Sequence, residues 1–430
     1  MWQYHEDSEA NRVVDTYIFE HYYYLPQISG LYPKMDGRNR IFTTLQLIIS
    51  VLTLLHQMAI LIKSTIALYG FDMVLLCQNV HFCLLIQIAL ITVGNCLWKH
   101  FSLYDIHRLL SYDFYDYQEP PGIGEELLRS TMETERRRLN CIPIGVAIAA
   151  GVVLALSPII DFNAGSFDFN RTASVFSHHL PMPFTQYPYH VKDGFGFGFA
   201  LFGQLGTGFL LTAIIGGAGF LFINLTQNIS LQLKILNNSL ENIDSRIEHL
   251  YSKLFGKMDR NIMKSLRHDS RYAYCYTKCL RKNFEHHQVI LKSFHLLEDI
   301  CSLPMGISYL TGTIVIALSL ISTGSAKELP GTTMAAMILC VVEVSYMFLF
   351  SAVGQRFTDL SNELRCKMYN TRWYMCSKEI KSSLMIFEEM TLKPMTMTGA
   401  RIVPANMETF TTVMNAAYSY YNLVVAFDIK

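Results

Sequence analysis

Seven stretches of this chain are long, apolar and nearly free of formal charge, and polar segments separate them. Ile41–Ile62, Met73–Trp98, Leu139–Ile160, Gly194–Leu233 and Ile300–Ala326 contain no Asp, Glu, Lys or Arg. Thr332–Val353 is broken only by Glu343, and Thr409–Phe427 is again clear. A helix needs roughly 20 mostly apolar residues to cross a bilayer core of about 30 Å. The pattern predicts an all-α integral membrane protein with seven transmembrane helices. Between the fourth and fifth stretches the rhythm changes. Leu231, Ile235, Leu240, Ile243, Ile247, Leu250 and Leu254 recur at helical spacings among many charges, which marks amphipathic helix. The fourth and fifth spans are therefore expected to run on as helices beyond the bilayer. Their apolar stripes would pack within one subunit or form a platform between subunits.

Charge orients these helices. Thirty of the thirty-five Lys and Arg residues lie in alternate gaps: up to Arg40, from Lys99 to Arg138, from 224 to 303, and from 354 to Arg401. Cytoplasmic loops are enriched in Lys and Arg, so the N-terminus is predicted inside and the C-terminus outside. That is the reverse of a G-protein-coupled receptor, and no DRY or NPxxY stands at the third or seventh span. The expected division is a cytoplasmic segment at 1–40, helices one to six over 41–353 with the inner extension 224–303, a cytoplasmic segment at 354–404, and the last helix with a short outer end at 405–430. The first forty residues lack an apolar signal core, so the first helix is expected to direct insertion. Asn170-Arg171-Thr172 is a glycosylation sequon in the outer loop, whereas those beginning at Asn224, Asn228 and Asn237 fall inside and should stay unmodified.

Little points to catalysis. HExxH and GxSxG are missing, and no nucleophile–base set is suggested by position. A net charge of zero gives no pull toward nucleic acid. The ten cysteines avoid the predicted outer loops, so free thiols are expected. Cys275 and Cys279 near His286 and His287 resemble a metal site only in composition, and neither metal nor cofactor is expected. A transporter would show internal repeats and broken helices; none is found, and Pro158 and Pro304 are read as capping span ends. The fourth span has nine glycines from Gly194 to Gly219, compatible with close helix packing or with a cavity wall. Glu343 is the one acid deep in a span and so a candidate functional group. Its bland alternative is a protonated or hydrogen-bonded carboxyl, with Ser345, Tyr346 or a neighbouring helix as partner.

The last stretch is two-sided. Thr412, Asn415, Ala416, Ser419, Asn422, Leu423, Ala426 and Phe427 share one face; Phe410, Met414, Ala417, Tyr421, Val424 and Val425 share the other. A small, polar face that turns apolar at its outer end suits a water-filled path with a hydrophobic constriction, and equally a polar face buried among helices.

Gly354, Ser361, Tyr369 and Trp373, then Lys393-Pro394, Thr409-Phe410 and Ser419-Tyr420-Tyr421, resemble the C-terminal signature of insect odorant receptors. Those motifs cover about the last ninety positions; length and span pattern match throughout. The related gustatory receptors carry a Gln where this chain has Ala426, which favours the odorant branch. The resemblance implies an odour-gated, non-selective cation channel in the plasma membrane of a sensory dendrite, a tetramer of tuning subunits and a shared co-receptor. It also implies an anchor between subunits around Tyr369 and Trp373. The pore would be lined by the last helix near Ser419 and Ala426, with Leu423 and Phe427 at the constriction. Partners would be the co-receptor, a neutral volatile ligand, membrane lipid and permeant cations. A shorter second inner loop than the co-receptor's marks a tuning subunit.

The outer halves of spans two, three, four and six are expected to meet. They offer Gln78, His81, Phe82, Leu154, Ser157, Phe199, Phe202, Met334, Met337 and Ile338 as candidate ligand contacts, mostly apolar with few polar groups, as ligand pockets are. Gln78 and His81 are the expected hydrogen-bond donors to a neutral oxygenated ligand.

Overall fold

The computed structural model describes residues 12–18, 29–31, 37–69, 73–111, 114, 115, 117, 124–164, 180, 185–189, 191, 194–257, 270–325, 330–375 and 378–428. Among the described residues ten longer helices carry the fold: α1 Gly37–Leu68, α2 Met73–Trp98, α3 His100–Ser111, α4 Glu125–Asn163, α5 Gly194–Glu241, α6 Ile243–Phe255, α7 Ser270–Ser325, α8 Pro330–Tyr369, α9 Lys378–Met390 and α10 Met407–Asp428. A hairpin, β1 Thr398–Gly399 with β2 Val403–Pro404, precedes α10. Among the described residues, α1, α2, α4, α5, α7 and α8 are long and apolar enough to cross a membrane. The chain is a multi-pass, all-α membrane protein. α10 falls short of that apolarity because its exposed face carries Thr412, Asn415, Ser419 and Asn422.

Several helices outrun any bilayer. α7 has 56 residues, about 84 Å at 1.5 Å per residue, against an apolar core of about 30 Å. α5, α7 and α8 therefore leave the apolar zone together at the basic end of the bundle. There they share a core with α6 and α9. Leu233, Leu236, Leu240, Ile243 and Ile247 meet Tyr276, Leu280, Ile290, Phe294, Phe357 and Leu364, and Phe294 stacks on Phe357 at 5.5 Å. Most of the expected stripe is thus buried within the chain, while Leu254 is exposed. A separate apolar cluster lies within the spans, where Leu54, Leu61, Phe82, Ile86, Ala89 and Val93 pack with Leu211, Ile214 and Leu339.

Pro158 and Pro304 lie inside helices, contrary to the expectation that they cap spans. Proline has no N–H for the carbonyl four residues back, and each helix survives because another group supplies the donor. At Pro304 the released carbonyl is Ile300 O, which accepts from Asn95 Nδ2 of α2 at 2.7 Å. At Pro158 it is Leu154 O, which accepts from Ser157 Oγ at 3.1 Å.

The turns around Pro304 also hold the hairpin. Ala400 N donates to Ser302 O at 2.6 Å and Arg401 N to Ser302 Oγ at 2.8 Å. Gly306 lets Ala400 sit against α7, where a Cβ would collide with it. Ala400 and Arg401 have φ of 50° and 59°, the positive values that a tight hairpin turn needs at its two central residues. One turn earlier, Asp299 accepts from Lys99 Nζ at 2.7 Å and Ser102 Oγ at 2.9 Å. These partners, with nearby Arg401, hold its carboxyl below the usual range. Gly354 of α8 admits Ala405, whose carbonyl a Cβ would strike. Asn406 Oδ1 then caps α10 by accepting from Thr409 N at 2.8 Å.

The histidines flagged with Cys275 and Cys279 belong to packing at the basic end. His286 Nδ1 bonds Tyr117 OH at 2.8 Å and Nε2 bonds Gln232 Oε1 at 3.1 Å, while His287 lies edge-on to Phe387.

Two predictions follow from these contacts. Asn95→Leu leaves the Ile300 carbonyl buried without a donor, at a cost of about 1–3 kcal/mol. The detergent-solubilised protein should melt measurably earlier, while Thr92→Val melts like the parent. Equal melting of all three would show that the carbonyl needs no cap. The second concerns pH. Burial, reinforced by neighbouring His287 and Arg246, lowers His286 to about 3, and burial lowers His287 to about 4. Below about pH 6.5 the unfolded chain takes up these protons and the folded chain does not, so stability falls as pH drops, by roughly 1.4 kcal/mol per unit per histidine. Melting should move to lower temperature between about pH 7 and 5, and less steeply in His287→Phe. A flat profile in the parent would contradict this.

Candidate functional site

α2, α4, α5 and α8 converge around a cavity of about 380 Å³. Its space originates in small residues. On α4, Ala147, Ala150, Gly151, Leu154 and Ala155 recur at helical spacing along one wall, and on α5 Gly208 and Gly216 line it. A Cβ at Gly208 would meet nothing within 4 Å.

The helices are pinned above and below this void. At the end opposite the basic one, Asp161 of α4 caps the start of α8, accepting from Thr332 N at 2.9 Å and Thr332 Oγ1 at 2.8 Å as well as from Gly331 N. Gly331 lies so close to the Ser157 carbonyl that no side chain fits. Toward the basic end, Tyr346 of α8 closes on Gly219 of α5, where a Cβ would sit 2.9 Å from its ring. The fourth-span glycines thus divide in function. Gly217 and Gly219 permit close packing, while Gly203, Gly206 and Gly208 have open space around them.

The polar groups in the wall are few. Gln204 donates to Thr185 Oγ1 and Tyr187 OH, both at 3.0 Å. His81 Nδ1 bonds Ser319 Oγ of α7 at 3.2 Å, whereas its Nε2 and the Tyr346 hydroxyl are buried without a partner among the described residues. Glu343 is buried and lies against Gly312 of α7. Neither Ser345 nor Tyr346 holds it: Ser345 Oγ turns back to Val341 O at 2.6 Å, and the Tyr346 hydroxyl has no partner among the described residues. A smaller cavity of about 90 Å³ beside Pro304 shares Leu85, Ile215, Glu343 and Tyr346 with the first. No Lys or Arg lines either.

Of the candidate contacts, His81, Phe82 and Leu154 line the larger cavity. Gln78 is buried one turn from His81, and Ser157 is buried with its hydroxyl on Leu154 O; neither reaches the lining. Phe202 lies on the face of α5 that continues to Leu205 and Phe209, one turn short of the cavity, and Phe199 is also outside it. Met334 and Met337 are about half exposed and Ile338 is partly buried. The face of α8 that lines the cavity is instead Leu339, Val342, Glu343 and Tyr346, at the i, i+3, i+4, i+7 spacing of a helical stripe. That spacing, and the small-residue stripe of α4, were the sequence signals for the wall.

α10 packs Val413 and Ala417 inward, with Phe410 edge-on to Phe348. Ser419, Leu423 and Ala426 lie on its exposed side. Asn170 and the side chain of Phe427 lie outside the described residues. Tyr369 and Trp373 are exposed on the single chain, with ring centroids 6.2 Å apart.

A family profile described as 7tm odorant receptor matches residues 72–418. The odorant receptor coreceptor of Aedes aegypti is 23% identical over 141 residues, which is 33% of this chain and 30% of that protein. Odorant receptor 33a of Drosophila melanogaster is 25% identical over 153 residues, 36% of this chain and 40% of that protein. These matches thus span well under half the length of either relative. The structure of the insect olfactory receptor OR5 from Machilis hrabei in complex with eugenol superposes with a TM-score of 0.75 at 11% identity, covering 97% of this chain and 100% of the other. That likeness speaks for the fold; the match over residues 72–418 speaks for the family. The chain belongs to the 7tm odorant receptor family.

Proposed function

We propose that this chain is the odour-tuning subunit of a non-selective cation channel, assembled as a tetramer with an odorant co-receptor in the plasma membrane of a sensory dendrite. Membership in this receptor family sets the chain among receptors rather than enzymes, and its relatives include co-receptors. The observation that carries the reading is the cavity between α2, α4, α5 and α8. It is lined mostly by apolar side chains, free of Lys and Arg, and roomy enough for a volatile molecule. A neutral volatile ligand held near His81, Phe82 and Leu154 fits that lining.

The remaining parts follow the same reading. The Lys and Arg distribution supports an N-terminus inside and seven spans, with α10 as the last. The core of α5 to α9, with exposed Tyr369 and Trp373, is the cytoplasmic anchor between subunits. Four copies of α10 surround the pore, with the face of Ser419 and Ala426 toward the axis. Leu423 and Phe427, four residues apart on one face, form a constriction that excludes water when closed. The ligand opens it by binding the open state more tightly, since only differential affinity shifts an equilibrium. The route from cavity to pore runs from α2 through the Asn95 and Asp299 contacts to α7, and from Ser302 through the hairpin to α10.

Co-expression with a co-receptor and current recording against a panel of neutral volatiles tests this directly. Gly208→Leu places its side chain in the cavity and His81→Ala removes a polar group from it. Each should raise the half-maximal concentration by about tenfold with surface delivery unchanged. Unaltered dose–response curves for both would place the ligand elsewhere. At the pore, Leu423→Ala should raise current without odorant, and a cysteine replacing Leu423 should react with a thiol reagent faster when odorant is present. Parent-like conduction together with odorant-independent labelling would move the gate away from this residue.

A further inference from the structure

Three polar groups that line the cavity have nothing to bond among the described residues. His81 Nε2 and the Tyr346 hydroxyl are buried without partners among the described residues. Glu343 lines both cavities, and its carboxyl has no hydrogen-bond or ion-pair partner among the described residues. Glu343 and Tyr346 lie on one face of α8, and His81 comes from α2. A buried polar group that finds no partner is costly, so a ligand that satisfies this wall gains where a purely apolar one does not. We infer that the Glu343 wall makes the cavity selective for hydroxyl-bearing ligands, alcohols or phenols, with Glu343 holding the ligand O–H. This rests on the cavity being the odorant site.

Chemistry separates the classes. An ether or aldehyde brings acceptors alone and leaves carboxyl acceptors unmet. A primary amine arrives as a cation, and burying an ion pair in an apolar cavity recovers little beyond the desolvation cost of both charges. A hydroxyl donates and accepts at once. It can give its proton to the carboxyl and take one from Tyr346, and it brings no charge of its own to desolvate.

The experiment uses the full chain with a co-receptor in current recordings. Matched sets of alcohol, methyl ether, aldehyde and primary amine are applied on several apolar scaffolds, phenylethyl and octyl among them. The parent should respond to the alcohol at about tenfold lower concentration than to its ether. The gap should close to within about twofold in Glu343→Met and persist in Glu343→Gln, whose amide oxygen keeps an acceptor for the ligand O–H. Surface labelling reports delivery; should Glu343→Met not be delivered, the parent's series decides alone. Equal response to alcohol and ether on every scaffold, a most potent amine, or a gap that survives Glu343→Met would each overturn the inference. The first of these leaves odour gating itself intact. Silence to every set from a parent delivered to the surface, beside a co-receptor that answers its own agonist, overturns both readings.

Discussion

The Ile300 carbonyl is the point on which the arrangement of this bundle depends. Pro304 removes its helical donor, and in apolar surroundings no water is at hand to replace it. Asn95 does so from α2, which ties the helix bearing His81 and Phe82 to the middle of α7. Within two turns of the same place Asp299 collects Lys99 and Ser102, and Ser302 collects the hairpin that leads into α10. The helix beside the cavity and the connection to the last helix therefore grip the same segment of α7. A displacement of α2 reaches that segment through directional bonds, and the hairpin cannot stay indifferent to it. Neither the proline nor the asparagine is informative alone; together they fix a register between helices some 200 positions apart in sequence.

The cavity follows from a second constraint, the unequal spacing of α4, α5 and α8 along their lengths. Asp161 draws α4 and α8 together at one end through backbone and hydroxyl donors of Gly331 and Thr332. Gly219 lets α5 and α8 close at Tyr346 toward the other. Between these contacts the facing side chains shrink to Ala147, Ala150, Gly151, Ala155 and Gly208, too small to fill a gap whose ends are set. Ordinary cores close such voids by repacking to crystal-like density. Here the pinned ends prevent collapse, and the void is a built feature of the fold.

Much of this was legible in the sequence, and the exceptions have physical causes. Uncharged runs locate spans because lipid rejects charge, so Met73–Trp98 emerged with the bounds the structure has. The extension of α5 was readable from Ile235 and Leu240, and the same rhythm at Ile243 and Ile247 marks α6. α3 and α9 were not, since short amphipathic helices among polar residues leave a weak signal. Within the membrane, hydrophobicity cannot tell a face that meets lipid from one that meets a neighbour. Position along α8 singles out Met334 and Met337, yet Leu339, Val342, Glu343 and Tyr346 line the void. His81, Phe82 and Leu154 lie on the lining, the last of them among the small residues Ala147, Ala150, Gly151 and Ala155 of α4. Pro304 was placed at a span end because the donor that lets it sit mid-helix comes from another helix, which no local pattern reveals.

The last helix carries the argument from single chain to assembly. Its hydroxyls are quieted locally: Thr411, Thr412 and Ser419 each donate to a carbonyl four residues back, at 2.8 to 3.0 Å, so these side chains alone would tolerate lipid. Asn415 and Asn422 differ. An amide has two donors and an acceptor with two lone pairs, more than one backbone carbonyl can satisfy, and both lie on the exposed face. Left against hydrocarbon they would pay a desolvation cost at each polar atom. α10 is accordingly less apolar than the six spanning helices, and its other face is already taken by Val413 and Ala417 packed inward. The exposed face needs water or other polar helices beside it. In the proposed channel a ring of such helices around a wet axis would supply both, with Leu423 one residue beyond Asn422 to interrupt the water.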